Sequence, residues 1–346
     1  MQRCAKCVMD ETDPEIVFED RACNHCRQYE VMEKVRKCER TNLPWIYNEI
    51  RKYGKVRDYD CLLGLSGGVD SSLVLHHLVE NGIRPLCFSV DNGWNTPESD
   101  ENIMHLVETL RVPFIRYVLN IPNFQNLQRR FIKSGTANLE IPTDHILMAA
   151  SYEVAEKYGI KYIISGGNIA TESIMPPAWG YNARDLTFIQ AIGNTDFLPT
   201  CSLAKYLYHR FIRGVKIVNL LDYYEYDREK AISLLSGKYG YKPYGGKHCE
   251  NVFTAWFQGY WLPVRFGFDK RKAHYSSLIN SGQMTREAAI ARLMEPLDFP
   301  KIDFPPDIVD GLYVGKGPTR DYREFKNSEW QWGVLSNIYG IISGRR

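Results

Sequence analysis

The sequence predicts an α/β protein with a parallel sheet, a small metal-binding head before it and a helical C-terminal part after it. Three observations carry this. From Asp60 to Ser165 short apolar runs alternate with amphipathic stretches, the pattern of parallel strands joined by crossover helices on both faces of a sheet. Four cysteines, Cys4, Cys7, Cys23 and Cys26, stand in two close pairs near the start. Beyond about residue 185 the strand signal fades and helical periodicity takes over. The divisions expected are 1–30 for the head, 31–57 for a helical connector, 58–185 for the α/β domain and 186–346 for the helical region.

In chain order, Cys4-x2-Cys7 and Cys23-x2-Cys26, with 15 residues between the pairs, have two-knuckle zinc spacing. Each turn points two thiolates at one place, and two turns complete a tetrahedron with no open position, so the ion is expected to be structural. The same ligands also suit an iron–sulfur cluster or a redox pair. His25 lies between ligands and is expected beside the site, not in it. Residues 61–65, 85–90, 114–118 and 162–165 read as strands. Residues 71–81 read as a helix stopped by Gly82, and Thr96-Pro97-Glu98 opens another running to about 110. Residues 143–158 complete the helices of the sheet. Further on, 201–213, 227–239, 250–259, 270–281 and 286–294 read as helices, and 300–318, rich in proline and glycine, as an extended connection.

Composition limits the function. The 346 residues are 44% apolar and 24% charged, ordinary for a globular protein. A net charge of +2 is too small for a nucleic-acid footprint. No run of 18 apolar residues suggests a spanning helix, and Met1-Gln2-Arg3-Cys4 does not open a signal peptide. The expected setting is cytoplasmic. There the nine cysteines serve as thiols and metal ligands, not as a disulfide framework.

Ser66-Gly67-Gly68-Val69-Asp70-Ser71-Ser72 joins the first predicted strand to the next helix. Glycines let backbone approach phosphate oxygens, and a helix N-terminus presents free N–H groups and the positive end of its dipole. The loop lacks Gly-Lys-Ser/Thr and so is not a Walker A loop, and it is not a Gly-x-Gly-x-x-Gly turn. Asp91, just after the second strand, and Gly166, Gly167 and Asn168, just after the fourth, end near the same place, because ligands sit beyond the carboxyl ends of parallel strands. Asp70 is assigned either to orienting the loop or to holding Mg²⁺. Downstream, Lys247, Lys270 and Arg271 offer positive charge for phosphate, on a leaving group or on a phosphorylated substrate, although Lys270-Arg271-Lys272 also reads as a solvated basic face.

The heptad resembles the signature of the PP-loop ATP pyrophosphatases, an adenine nucleotide α-hydrolase-like fold. The resemblance implies that Ser66, Gly67, Gly68, Asp70, Ser71 and Ser72 hold the β,γ-pyrophosphate of ATP while AMP passes to a substrate oxygen. With the two cysteine pairs, Thr143-Asp144-His145, Gly246-Lys247-His248-Cys249-Glu250, Lys270-Arg271-Lys272-Ala273-His274 and residues 281–288, the order over about 4–295 resembles the N-acetyl sugar amidotransferases of bacterial surface-polysaccharide and flagellar-sugar pathways. That resemblance implies conversion of a sugar acetamido group to acetamidino with ATP, Mg²⁺ and structural Zn²⁺. It assigns Asp70, Lys247, Lys270 and Arg271 to catalysis and Asp144, His145 and His274 to the sugar. No cysteine stands in a glutaminase setting. Cys249 beside His248 is the nearest to one, and neighbours on a helix do not face each other. A separate glutaminase is therefore expected, together with a cyclase-like channel subunit, and no nucleic acid or membrane span. The competing readings are a PP-loop tRNA thiolase with a zinc knuckle and a zinc-headed adaptor that binds ATP without turnover.

Overall fold

The computed structural model describes residues 2–244, 249–304 and 319–342, with side chains to residue 337. The head forms a two-strand antiparallel ribbon, β1 (Phe18–Glu19) and β2 (Ala22–Cys23). Helix α1 (Asn24–Glu39) starts directly after it, and α2 (Leu43–Gly54) leads to the sheet.

The sheet begins with β3 (Cys61–Gly64), α3 (Val69–Glu80), β4 (Pro85–Asp91), α4 (Pro97–Leu110) and β5 (Phe114–Val118), close to the predicted bounds. Local chemistry explains the sharp ends. Thr96 caps α4 by accepting from the Ser99 N–H at 3.2 Å, with Pro97 in the first turn. Two helices follow, α5 (Ile121–Ser134), which the sequence reading passed over, and α6 (Ile141–Lys157). Next come β6 (Tyr162–Ser165), α7 (Ile169–Glu172), α8 (Leu186–Ile192) and α9 (Leu203–Leu207), the last continued by a π-helical turn at Tyr208–Ile212.

A fifth strand, β7 (Lys216–Asn219), pairs with β6. It lies beyond residue 185, so the sheet draws on the region expected to be wholly helical. Its side chains are mostly exposed at the sheet edge, which is why it lacks the apolar run that marks the inner strands. The remainder is helical: α10 (Arg228–Tyr239), α11 (Val252–Trp256), a π-turn at Phe257–Trp261, α12 (Leu262–Phe266), α13 (Lys270–Asn280), α14 (Arg286–Met294) and a last helix at Glu329–Ile342. The connection expected over 300–318 falls mostly outside the described residues.

The sheet is parallel throughout, in the order β5-β4-β3-β6-β7. Strand order reverses between β3 and β6, the switch point where ligands of open α/β sheets bind. Each face buries its own core. Leu62, Phe88 and Val90 pack with α5 and α6 on one side, and Cys61, Leu63 and Cys87 with α3 and α4 on the other. Successive strand residues point to opposite faces, and both faces are covered, so the inner strands are mostly apolar on both sides.

Candidate functional site

The loop after β3 sits at the switch point and is fixed by its own hydroxyls. Ser71 Oγ accepts from the Ser66 N–H at 3.2 Å and lies 3.2 Å from Ser66 Oγ, and the Gly68 N–H donates to Ser66 Oγ at 3.2 Å. Gly67 has φ +77°, and a Cβ there would lie 2.3 Å from the Ser99 carbonyl oxygen. Only glycine fits both demands. Gly68 precedes α3 with no side-chain cap, whereas Thr96 and Asn168 cap the helices that follow β4 and β6. The first turn of α3 thus carries no side-chain cap from Gly68, the setting in which helix amides suit phosphate. Ser72 is buried behind the loop.

The loop after β6 closes onto it. A Cβ on Gly166 would lie 2.9 Å from the Ser71 backbone nitrogen, whereas one on Gly167 would meet Ser165 Oγ at 3.4 Å and Asn219 Oδ1 at 3.5 Å. Asn168 Oδ1 caps α7, and Asn168 Nδ2 donates to Asp70 Oδ2 at 3.4 Å. The Tyr226 hydroxyl donates to Asp70 Oδ1. Burial and then the Asp70 charge push the Tyr226 phenol well above its ordinary value, so it stays a donor. Both Asp70 oxygens take up protein donors, which favours the loop-orienting role over the magnesium role. Tyr226 is brought in from 156 residues away, and no local signal announces it.

Ser66 and Gly166 open onto a cavity of about 1260 Å³. That exceeds the ~300–1,000 Å³ typical of one small ligand and leaves room for two substrates. Asp144, Lys270, Arg271 and His274 line it, with Glu140, Glu172, Glu250 and Asn92, which the sequence reading did not single out. Burial pulls the Lys270 ammonium down to about 8, against the charges of Asp144, Glu172 and Glu140, which hold it up. Glu140 has the opposite shift, to about 8, from burial and then Asp144. Its position three residues before Thr143, at the start of the same helix, was the available signal.

Three expected contacts are displaced by one residue. His145 follows Asp144 on α6, and a step of one residue turns a helix by about 100°. Its ring therefore enters the core, 1% exposed, with Nδ1 2.7 Å from the Ala183 carbonyl oxygen and Nε2 accepting from the Cys201 N–H at 3.1 Å. Burial lowers its pKa, and it is a structural residue, not a sugar contact. Arg271 touches the cavity wall, but its guanidinium is spent on Asp269 and on the carbonyl oxygen of Glu295 at 2.9 Å. That leaves Lys270 as the cation facing the chemistry on this turn. Asp91 turns away from the cavity to cap the Gly93 N–H at 3.0 Å and lies 3.9 Å from Arg116, while Asn92 faces inward. Lys247 lies outside the described residues. Cys249 lines the cavity and precedes α11, whose N-cap is Asn251, so it is not on a helix; its neighbour His248 is also outside the described residues.

The four head cysteines converge as predicted, buried and with every sulfur within 4.8 Å of the others. Three separations are 3.9, 3.7 and 3.7 Å. A tetrahedron of thiolates at ~2.3 Å from zinc has edges of about 3.8 Å. The donor set fits one such ion, and it is too tight for a four-iron cluster, which would stand between the thiolates. Backbone N–H groups of Lys6, Cys7 and Cys23 donate to Cys4 Sγ at 3.3–3.4 Å. His25 stays outside the tetrahedron, with Nε2 2.6 Å from Asp13 Oδ2. The head is bolted to the cavity wall from behind. Lys272 Nζ donates to Asp10 Oδ2 at 2.6 Å, and the Val8 N–H to Ser276 Oγ at 3.1 Å. Arg286 donates to the carbonyl oxygens of Cys4 and Cys7, both at 3.1 Å.

A family model described as the C-terminal domain of LPS biosynthesis protein WbpG-like proteins matches residues 250–308. No curated protein matches the chain. An NH3-dependent NAD synthetase from Campylobacter jejuni is similar in structure at 18% identity and TM-score 0.29, covering 62% of this chain and 86% of that one. An NMN synthetase from Francisella tularensis is similar at 12% and 0.31, covering 62% and 98%. The U34-tRNA thiolase NcsA from Methanococcus maripaludis, solved with its [4Fe-4S] cluster, is similar at 14% and 0.37, covering 86% and 90%.

Proposed function

We propose that this chain is an ATP-dependent amidotransferase of the PP-loop superfamily, converting the acetamido group of a sugar to acetamidino and releasing AMP and pyrophosphate. One observation carries the reading: the uncapped glycine loop at the switch point opens onto the same cavity as Lys270, Asp144 and His274. The loop's sequence and setting support an ATP-using enzyme of this superfamily. The WbpG-like match over 250–308, the segment that carries Lys270 and His274, supports the sugar pathway.

An amide carbon resists nucleophiles because its nitrogen donates into the carbonyl. Adenylation makes the oxygen a leaving group. In this reading the amides at the start of α3, with Ser66 and Ser71, hold the pyrophosphate end of ATP and leave the α-phosphorus facing the cavity. Asp70, braced by Tyr226 and Asn168, keeps the loop in that shape, and Mg²⁺ arriving with ATP would supply positive charge to the phosphates. Lys270 offsets the charge that builds on the leaving pyrophosphate. Asp144 and His274 bind the sugar. Ammonia comes from a separate glutaminase, with a cyclase-like subunit as conduit, and the reaction runs in the cytoplasm. Among the described residues no helix is long and apolar enough to cross a membrane.

The test is incubation of the purified chain with ATP, Mg²⁺, isotopically labelled ammonium and a panel of free and nucleotide-linked N-acetyl sugars. The expected products are AMP, pyrophosphate and a sugar in which labelled NH replaces the amide oxygen. ADP and phosphate would exclude the mechanism. Modification of tRNA instead would favour the thiolase, although Cys249 is the one cysteine among the described residues that lines the cavity.

A further inference from the structure

The cavity holds a buried acid with no part in the steps above. Glu140 stands at the start of α6, its backbone N–H donating to Asn138 Oδ1 at 2.8 Å. Its carboxyl lines the cavity, and its Oε1 is shut off from solvent without a hydrogen-bond partner among the described residues. Buried carboxyl oxygens are rarely left this way, and a donor arriving with the substrates would account for it. The Thr143 and Thr254 hydroxyls and Lys270 favour the charged carboxylate, while burial and Asp144 oppose it, so it holds a proton more tightly than an ordinary glutamate. Asp144 and Glu172, by contrast, are exposed.

The second half of the reaction needs such a group. Ammonia that adds to carbon becomes an ammonium, and the amine cannot expel AMP until that nitrogen has lost a proton. We propose that Glu140 is the ammonia-handling base: its Oε1 accepts an N–H from ammonia and then takes the proton released as nitrogen adds to the activated amide. The inference rests on the amidotransferase reading.

The step balances. The adenylated amide carries one positive charge, spread over nitrogen, carbon and oxygen. The ammonia lone pair forms the new C–N bond, giving a tetrahedral centre with –NH₃⁺. One proton passes to the Glu140 carboxylate. The C–O bond then breaks, AMP leaves with its electron pair, and the remaining nitrogen lone pair closes the amidinium. Glu140 returns its proton to solvent when the product leaves.

The experiment uses the full chain and Glu140→Gln, which keeps the size and removes the proton acceptor. Sugar-dependent ATP–pyrophosphate exchange without ammonium reads adenylation alone. Amidine formation with ammonium reads both halves. Hydroxylamine, whose adduct sheds its proton to water readily, reads the second half without a base. The sugar is whichever panel member the wild type turns over, beginning with UDP-N-acetylglucosamine. Glu140→Gln is expected to keep exchange within threefold, lose amidine formation by about 10²-fold, the lower end for a general base, and recover most of it with hydroxylamine. Amidine formation within threefold of wild type overturns the proposal. So does a matching loss of exchange, which would put Glu140 in adenylation or in folding. A wild type without exchange on any sugar removes the amidotransferase reading itself, a result distinct from either.

Discussion

Gly166 and Gly167 stand side by side after β6, and the structure predicts opposite outcomes for the same substitution. A Cβ on Gly166 would sit 2.9 Å from the Ser71 nitrogen and 3.2 Å from the Asp70 carbonyl carbon. This is about half an ångström inside ordinary contact, against backbone that cannot swing aside. Overpacking of this kind costs about 1–3 kcal/mol. In Gly166→Ala the two loops relax apart when empty, and ATP must push them together again. Charged to binding, the strain weakens ATP affinity about 5- to 150-fold. Gly167→Ala meets only side-chain atoms at 3.4–3.5 Å and is expected to change affinity less than twofold. Calorimetric titration of ATP into both variants, with thermal melts as controls, measures the contrast. Equal losses would refute the reasoning, because the glycines would then serve the ligand and not the approach of one loop to the other. Gly166→Ala binding within threefold of wild type would refute it as well.

Other outcomes follow from the same geometry. Asp70→Ala and Ser66→Ala should abolish ATP use with native circular dichroism, and turnover within tenfold of wild type in both would remove the loop from the mechanism. Purified protein should carry one zinc per chain, with Cys23→Ser releasing it and loosening the head; metal analysis showing neither zinc nor iron ends that assignment. The chain alone should work with ammonium and not with glutamine, and product from glutamine without a contaminating glutaminase would point to Cys249 as a nucleophile. Expressed per free ammonia, the rate should follow a bell centred near pH 8. Lys270, facing Asp144, Glu172 and Glu140, sheds its proton above about 8, and Glu140, facing Asp144 and Lys270, gains one below about 8. Lys270→Arg should extend the alkaline limb, since arginine stays charged; an unmoved limb assigns it to another group.

Much of this architecture is legible in the sequence because its signals are local. The inner strands are apolar on both faces, Thr96-Pro97 marks a helix start wherever it is placed, and paired cysteines announce the cluster they form. What escaped was decided at long range or by rotation. β7 is a half-wet edge strand with nothing to distinguish it from a loop. Tyr226 reaches Asp70 only through the fold. His145 and Asp91 each adjoin a residue that does face the cavity, Arg271 lines it with its guanidinium already bound to Asp269, and a motif read as a word does not say which of its letters turns inward. A helix advances about 100° per residue and a strand reverses at each, so of two neighbours one usually goes to the core.

The bolts between head and wall also set a timetable for synthesis. Val8 waits for Ser276, 268 residues later, and Cys7 for Arg286, 279 residues later. At roughly 5–20 residues per second, the first two dozen residues spend on the order of ten to fifty seconds outside the ribosome before their final neighbours exist. A segment this small buries too little to hold itself together meanwhile. Early capture of a metal ion by its four thiolates would keep the newborn segment from oxidation and from strangers until the far end of the chain arrives. Zinc-starved cells are then expected to lose the protein during translation, as aggregated or degraded chains, before any finished enzyme has failed.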